Sequence, residues 1–147
     1  MLLILRFQNW TPPEIRDGEP TIYQWIVRHT KKFSLGYKTD IGAFSYINAE
    51  NGVIIGDFVQ IGSHCSVYSV STIDNKLGEV WLRKGCRIGS HSVIMPGVIV
   101  GEDSIIGAFS FVNGNIPDRV LAFGIPAKVV RPLTEDEIVM HKEERTE

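Results

Sequence analysis

LRKGCRIGSHSVIMPGVIVGEDSIIGAFSFV, residues 82–112, carries an aliphatic side chain every six positions, at Leu82, Ile88, Ile94, Val100, Ile106 and Val112. An amphipathic helix repeats every 3.6 residues and a half-buried strand every two, so neither accounts for this spacing. A β-helix does, because each short strand turns a corner before the next one begins. The same beat runs upstream through Ile41, Ile47 and Val53, shifts by two residues, and resumes at Ile55, Ile61, Val67 and Ile73. Glycine follows the aliphatic residue at Gly42, Gly56, Gly62, Gly89, Gly101 and Gly107. A small residue sits four places after it at Ser45, Cys65, Cys86, Ser92, Ser104 and Ser110, among others.

These marks predict a triangular solenoid. The aliphatic residue points inward, glycine lets the chain turn where a Cβ would clash, and the small inward residue leaves room for adjoining faces to meet. One coil cannot bury its own aliphatic row, so coils must stack; about twelve hexads, taken three to a turn, give about four coils.

The 147 residues are 44% hydrophobic with a net charge of −2, which suits one soluble domain spanning 1–147. Nothing in that balance favours a nucleic-acid partner. Cys65 and Cys86, the two cysteines, both fall on the small inward position and read as buried thiols rather than a disulfide or a metal pair. The apolar opening, residues 1–7, is too short for a signal peptide and lacks a cleavage pattern, so the expected location is the cytoplasm, with no membrane insertion.

Three zones follow. Residues 1–36 lie outside the repeat and read as an N-terminal cap. There Asp17-Gly18-Glu19-Pro20 is a turn feeding a helix that would set Ile22, Trp25, Ile26, His29 and Phe33 on one face. Residues 37–116 form the solenoid, with an excursion near 69–81 where the sixfold beat is lost and Asp74-Asn75-Lys76-Leu77-Gly78 reads as a turn. Residues 117–147 hold Gly124-Ile125-Pro126-Ala127-Lys128 and then Thr134-Glu135-Asp136-Glu137, a capping box for a short C-terminal helix.

The hexads, the excursion, the stretch Ile106-Gly107-Ala108-Phe109-Ser110-Phe111-Val112, the Asn115-Ile116-Pro117-Asp118 turn and the Gly-x-Pro-Ala-Lys tail together resemble the hexapeptide-repeat acyltransferases. The resemblance covers about two-thirds of the chain, from Tyr37 onward. It implies a left-handed parallel β-helix and a homotrimer. Acetyl-coenzyme A, or another acyl-coenzyme A, would be the co-substrate, lying between subunits. Within the family the chain looks most similar to small sugar acetyltransferases, including those that acylate nucleotide-linked amino sugars for surface polysaccharides. The resemblance implies such an acceptor, with sugar O-acetylation as the alternative.

Donor-binding candidates are the corners Gly89-Ser90 and Gly107-Ala108, whose backbone groups could meet the pantetheine amides, with Gly124 in the tail and the cations Lys128 and Arg131 for the phosphates. Solvated cations and structural corners are the plainer alternatives. Acyl transfer to a hydroxyl needs a base, and histidine is the usual one. His29 on the cap helix and His141 in the tail read as structural. His64 and His91 each follow an inward isoleucine by three positions and point outward near a corner.

If residues 67–82 count as one hexad plus an excursion, His64 and His91 stack on one corner; if as two hexads plus three residues, they lie on different faces. His64 is the favoured base and His91 a second site residue beside the donor. Asp74 and Asn75 would orient the acceptor. The family's sugar O-acetyltransferases often carry the catalytic histidine in the excursion, whereas this one reads Ser71-Thr72-Ile73. An amine acceptor relieves that lack, since it attacks a thioester without a strong base. No metal is expected: a γ-type carbonic anhydrase would need three converging histidines, and only two lie in the repeat.

Overall fold

A computed structural model describes residues 9–138. The chain forms a parallel β-helix of five coils. The first coil contains β1 (Ile26–Arg28), β2 (Phe33–Leu35) and β3 (Asp40–Ile41); the second, β4 (Tyr46–Asn48), β5 (Val53–Ile55) and β6 (Gln60–Ile61). In the third, β7 (Ser66–Tyr68) is followed by a hairpin, β8 (Val70–Ser71) and β9 (Lys76–Leu77), before β10 (Val80–Leu82) and β11 (Arg87–Ile88) resume the coil. The fourth is β12 (Val93–Ile94), β13 (Ile99–Val100) and β14 (Ile105–Ile106). The fifth is β15 (Phe111–Val112), a bridge at Ile116, and β16 (Val120–Gly124), against which β17 (Ala127–Pro132) folds back antiparallel.

Stacking the coils makes three sheets. Face A runs β1-β4-β7-β12-β15, face B runs β2-β5-β10-β13, and face C runs β3-β6-β11-β14-β16-β17. Along face A the inward row is Val27, Ile47, Val67, Ile94 and Val112, each in register with the next and each almost wholly buried. Face C stacks Ile41, Ile61, Ile88, Ile106 and Ala122 in the same way. Each valine or isoleucine of these rows contributes roughly 1.5–3 kcal/mol by leaving water.

Small inward residues hold the coils together at the corner between faces C and A. Ser45 Oγ donates to Gly62 O at 3.0 Å and accepts from the Cys65 N–H at 3.1 Å; Ser92 Oγ donates to Gly107 O and accepts from Ser110 N–H, both at 3.2 Å. These buried hydroxyls therefore find partners where an unpaired one would be costly. Glycine is required beside them: a Cβ on Gly62 would come within 2.6 Å of the Ser90 backbone nitrogen. Cys65 and Cys86 are free and buried, as the repeat predicted, and burial pushes both thiols up.

Three expectations need correction. The helix read at the N-terminal cap does not form. Trp25 and Val27 point inward at a spacing of two and β1 pairs with β4, while Ile22 is 75% exposed. Pairing with the second coil gives this segment its backbone partners, so the chance 3.6 spacing carries no weight. The solenoid consequently begins at Ile26 rather than Tyr37, and there is one coil more than expected. Finally, Ile73, counted in the inward row, sits in the hairpin at 97% exposure; the two-residue shift upstream marks a strand with two inward residues, Val53 and Ile55, matched by Val80 and Leu82.

The C-terminal helix begins at residue 135, and the glutamate half of the capping box forms: Thr134 N–H donates to Glu137 Oε1 at 2.8 Å, while Glu137 N–H donates to the Thr134 carbonyl at 3.2 Å. The helix beyond residue 138, His141 and the apolar residues 1–7 lie outside the described residues. Among the described residues no helix is long and apolar enough to cross a membrane.

Ile94→Asp is expected to abolish the fold, because no partner awaits a carboxylate at a site 0% exposed, whereas Ile94→Val should cost about 1 kcal/mol. Circular dichroism melts check both. The Glu137 carboxyl is held from 4.5 down to about 2, chiefly by the Arg131 guanidinium and then by the Thr134 N–H. Its folded value lies below its unfolded one, so its contribution is present above pH 4.5 and lost as pH falls towards about 2. The Thr134 amide chemical shift should therefore titrate with a midpoint near 2; a midpoint near 4.5 would contradict the pairing.

Candidate active site

The interval from Val67 to Leu82 resolves the position of the histidines. Val67 stacks on Ile94 and Leu82 on Ile55, so this stretch is one hexad step with the hairpin inserted, and His64 and His91 share a corner. Each is left-handed there, at φ 59° and 60°. Their rings lie 4.7 Å apart and 6° from parallel. Phe109 continues the stack at 4.9 Å from His91, and Phe44 leans on His64 at 5.2 Å. The result is an outward ladder along the corner between faces C and A. Two parallel rings in a stack aim their nitrogens alongside each other rather than at a common point. Among the described residues no group of three or more His, Cys, Asp or Glu is placed to hold a metal ion.

The donor-side candidates collect beside this ladder. Gly89 and Ser90 line a shallow groove on face C together with Gln60, Gly62 and Arg87. Gly107 and Ala108 turn the same corner one coil on, so close that a Cβ on Gly89 would come within 2.8 Å of Ala108 Cα. Gly124, at φ 114°, ends β16 before the cis Ile125-Pro126 bond, and β17 extends face C with Lys128 exposed. Arg131 is already engaged: its Nη1 and Nη2 donate to the two Glu137 carboxylate oxygens at 2.8 and 3.2 Å. A phosphate would compete with that carboxylate. Arg87 adds a cation the sequence reading missed; its Nη2 donates to the Glu137 carbonyl at 2.6 Å, and its buried Nε has no partner among the described residues.

The excursion occupies the other edge of face A. A cleft of about 360 Å³ opens there between the hairpin, residues 70–73, and the solenoid side chains Asn48, Glu50, Tyr68 and Met95. Asp74 and Asn75 do not line it. Asp74 turns back within the hairpin, held below the usual carboxylate range first by a hydrogen bond from Ser71 and then by Lys76, whose Nζ is 3.4 Å away. Asn75 is left-handed at φ 55°, as a tight turn requires. Glu50 is the charged side chain of the cleft, and no motif singled it out. His29, read as structural, forms the left-handed corner of the first coil, with its Nε2 3.9 Å from Glu50 Oε2.

In one chain these two regions do not meet. His64 lies at the start of β7 and the hairpin leaves from its end, a separation of roughly 15–20 Å at strand rise. The donor groove is farther still, around the corner on face C.

The family described as bacterial transferase hexapeptide (six repeats) matches residues 79–114. Galactoside O-acetyltransferase of Escherichia coli is 32% identical, over 90% of this chain and 77% of its own length. Other curated relatives are spanned over less of their length, 63% and 47% in two cases. Among solved structures, a variant of AntD, an N-acyltransferase from Bacillus cereus in complex with dTDP-4-amino-4,6-dideoxyglucose and coenzyme A, is 25% identical with a TM-score of 0.60, covering 83% of this chain and 77% of AntD. A Vibrio cholerae hexapeptide-repeat acetyltransferase complexed with acetyl-coenzyme A is 26% identical with a TM-score of 0.70, covering 76% of this chain and 66% of that one. The sixfold inward rows, the five-coil solenoid and the extent of the Escherichia coli match together place the chain in the hexapeptide-repeat family of acetyltransferases.

Proposed function

We propose that the protein transfers an acetyl group from acetyl-coenzyme A to the amino group of a nucleotide-linked amino sugar, and that it works as a homotrimer with each site built from two copies. The observation that carries this reading is the separation of the two half-sites. The donor groove and histidine ladder flank one edge of face A, and the acceptor cleft flanks the other. A ring of copies sets the ladder edge of one against the hairpin edge of the next. The triangular section of the solenoid suits a ring of three.

In that arrangement coenzyme A lies along the glycine corner, with its thioester towards the hairpin of the neighbouring copy. The acceptor nitrogen, once deprotonated, attacks the acyl carbonyl carbon; the C–N bond forms and the C–S bond breaks. His64 of the copy whose glycine corner holds coenzyme A accepts the proton released from nitrogen, and coenzyme A leaves as the thiolate, which takes up a proton. The amine reading draws support from the cleft, which no histidine of its own chain lines among the described residues, and from the amino-sugar complex of AntD. The Escherichia coli relative supports a second reading, O-acetylation of a sugar hydroxyl.

Thiol release from acetyl-coenzyme A, measured against amino and hydroxy sugars both free and nucleotide-linked, should be fastest with a nucleotide-linked amino sugar. Robust turnover of hydroxy sugars with none of any amino sugar would overturn the assignment in favour of O-acetylation. His64→Ala should lower kcat by about 10²-fold. Co-assembly of His64→Ala with a chain whose residues 71–75 are replaced by glycine and serine should regain activity that neither has alone. No recovery in mixed trimers would contradict the two-copy site.

A further inference from the structure

Glu50 sits on a turn that is braced on both sides. Its N–H donates to Asn48 Oδ1 at 3.0 Å. The next residue, Asn51, donates its N–H to Ser69 Oγ at 2.9 Å, and that hydroxyl donates to Asn48 O at 2.8 Å. Ser69 is 0% exposed and immediately precedes β8, so the turn bearing Glu50 is tied to the root of the hairpin. On the opposite side stands His29, whose backbone N–H donates to Asp17 Oδ2 at 2.9 Å. Other charges nearby are Arg28, paired with Asp17 at 3.3 Å, Glu79 against Gly52, and Lys31 and Lys32, which line an adjoining hollow with Asp17 and His29; Glu50 borders both that hollow and the cleft. The wall of the cleft otherwise presents neutral side chains: Asn48, Tyr68, Ser71 and Thr72 as polar groups, with Met95 and Ile73 as apolar ones.

A carboxylate in this position acts in opposite senses on the two kinds of acceptor. A neutral amine that attacks a carbonyl carbon gains positive charge on nitrogen before its proton leaves. A hydroxyl that attacks as its proton is removed gains negative charge on oxygen. A fixed anion beside the nucleophile therefore favours the first transition state and opposes the second. The same anion binds the ammonium form as it arrives.

We propose that Glu50 determines the acceptor class: its carboxylate receives the acceptor's ammonium group, which gives its first proton to solvent, and then complements the positive charge that returns to nitrogen as the neutral amine attacks, so that amines are acylated and hydroxyls are disfavoured. This rests on the amino-sugar reading above.

The test compares kcat/KM for a matched pair of acceptors, amino and hydroxy at the same carbon, in the wild type, Glu50→Gln and Glu50→Asp, with acetyl-coenzyme A affinity and thermal melting as controls. Glu50→Gln should lower kcat/KM for the amino acceptor by about 10²-fold while leaving the hydroxy acceptor unchanged or faster, with Glu50→Asp keeping most of the preference. An equal loss on both acceptors, or no loss on either, would overturn the proposal while the acyltransferase reading stood. A wild-type protein that uses no amino acceptor would defeat the underlying reading, and the role of Glu50 with it, before any variant is made.

Discussion

Each coil of this molecule can satisfy its backbone hydrogen bonds only through the coils above and below it, and the rest of the structure follows from that dependence. The strands are two or three residues long over most of the solenoid, too short to be stable alone. They persist because the N–H and C=O groups of one coil meet those of the next while the inward rows stack in register, Ile47 on Val67 on Ile94. Registry also fixes what lies outside. Val67 and Ile94 are 27 residues apart in sequence, against 18 between Ile94 and Val112, yet both pairs are neighbours, because two of the nine additional residues lengthen the face B strand and the other seven leave the coil as a hairpin. His64 and His91 are brought face to face by the same accounting.

That dependence explains which features could be read from the sequence. The inward row is local and periodic, so Ile88, Ile94, Val100 and Ile106 reveal themselves without any knowledge of partners, as do the glycines that follow them. The Thr134–Glu137 capping signal is equally local, and its glutamate-to-backbone bond forms. The first coil was hidden because β1 has no hexad of its own: Val27 is fixed by Ile47, twenty positions away, and helical spacing over residues 22–33 offered a rival pattern with nothing local to refute it. Glu50 was hidden for a related reason. It occupies an ordinary turn, and only the folding of the hairpin over Asn48 and Tyr68 makes that turn the rim of a cleft. Asp74 and Asn75, conspicuous in the sequence, serve the hairpin turn in the folded chain, where Asp74 is held by Ser71 and Lys76.

A prism with three faces distributes its chemistry by edge. The corner between faces C and A carries the glycine column and the aromatic ladder, and the opposite edge of face A carries the hairpin. The width of one sheet keeps the histidine corner from the hairpin cleft in any single chain. Assembly is thus a chemical requirement in this account, and the hairpin, exposed at Ile73 and Leu77, is the element positioned to reach a neighbour. The Arg131–Glu137 pair ties β17 to the C-terminal helix, so an anion that bound Arg131 would compete with that carboxylate for one guanidinium.

The placement of coenzyme A in the assembled protein tests this account most directly. Crystals of the full chain grown with coenzyme A should show the pantetheine arm lying along the Gly89-Ser90 and Gly107-Ala108 corner, with its thiol facing the hairpin cleft of a neighbouring copy. Coenzyme A seated within one chain, or bound away from that corner with no second copy facing its thiol, would contradict the account.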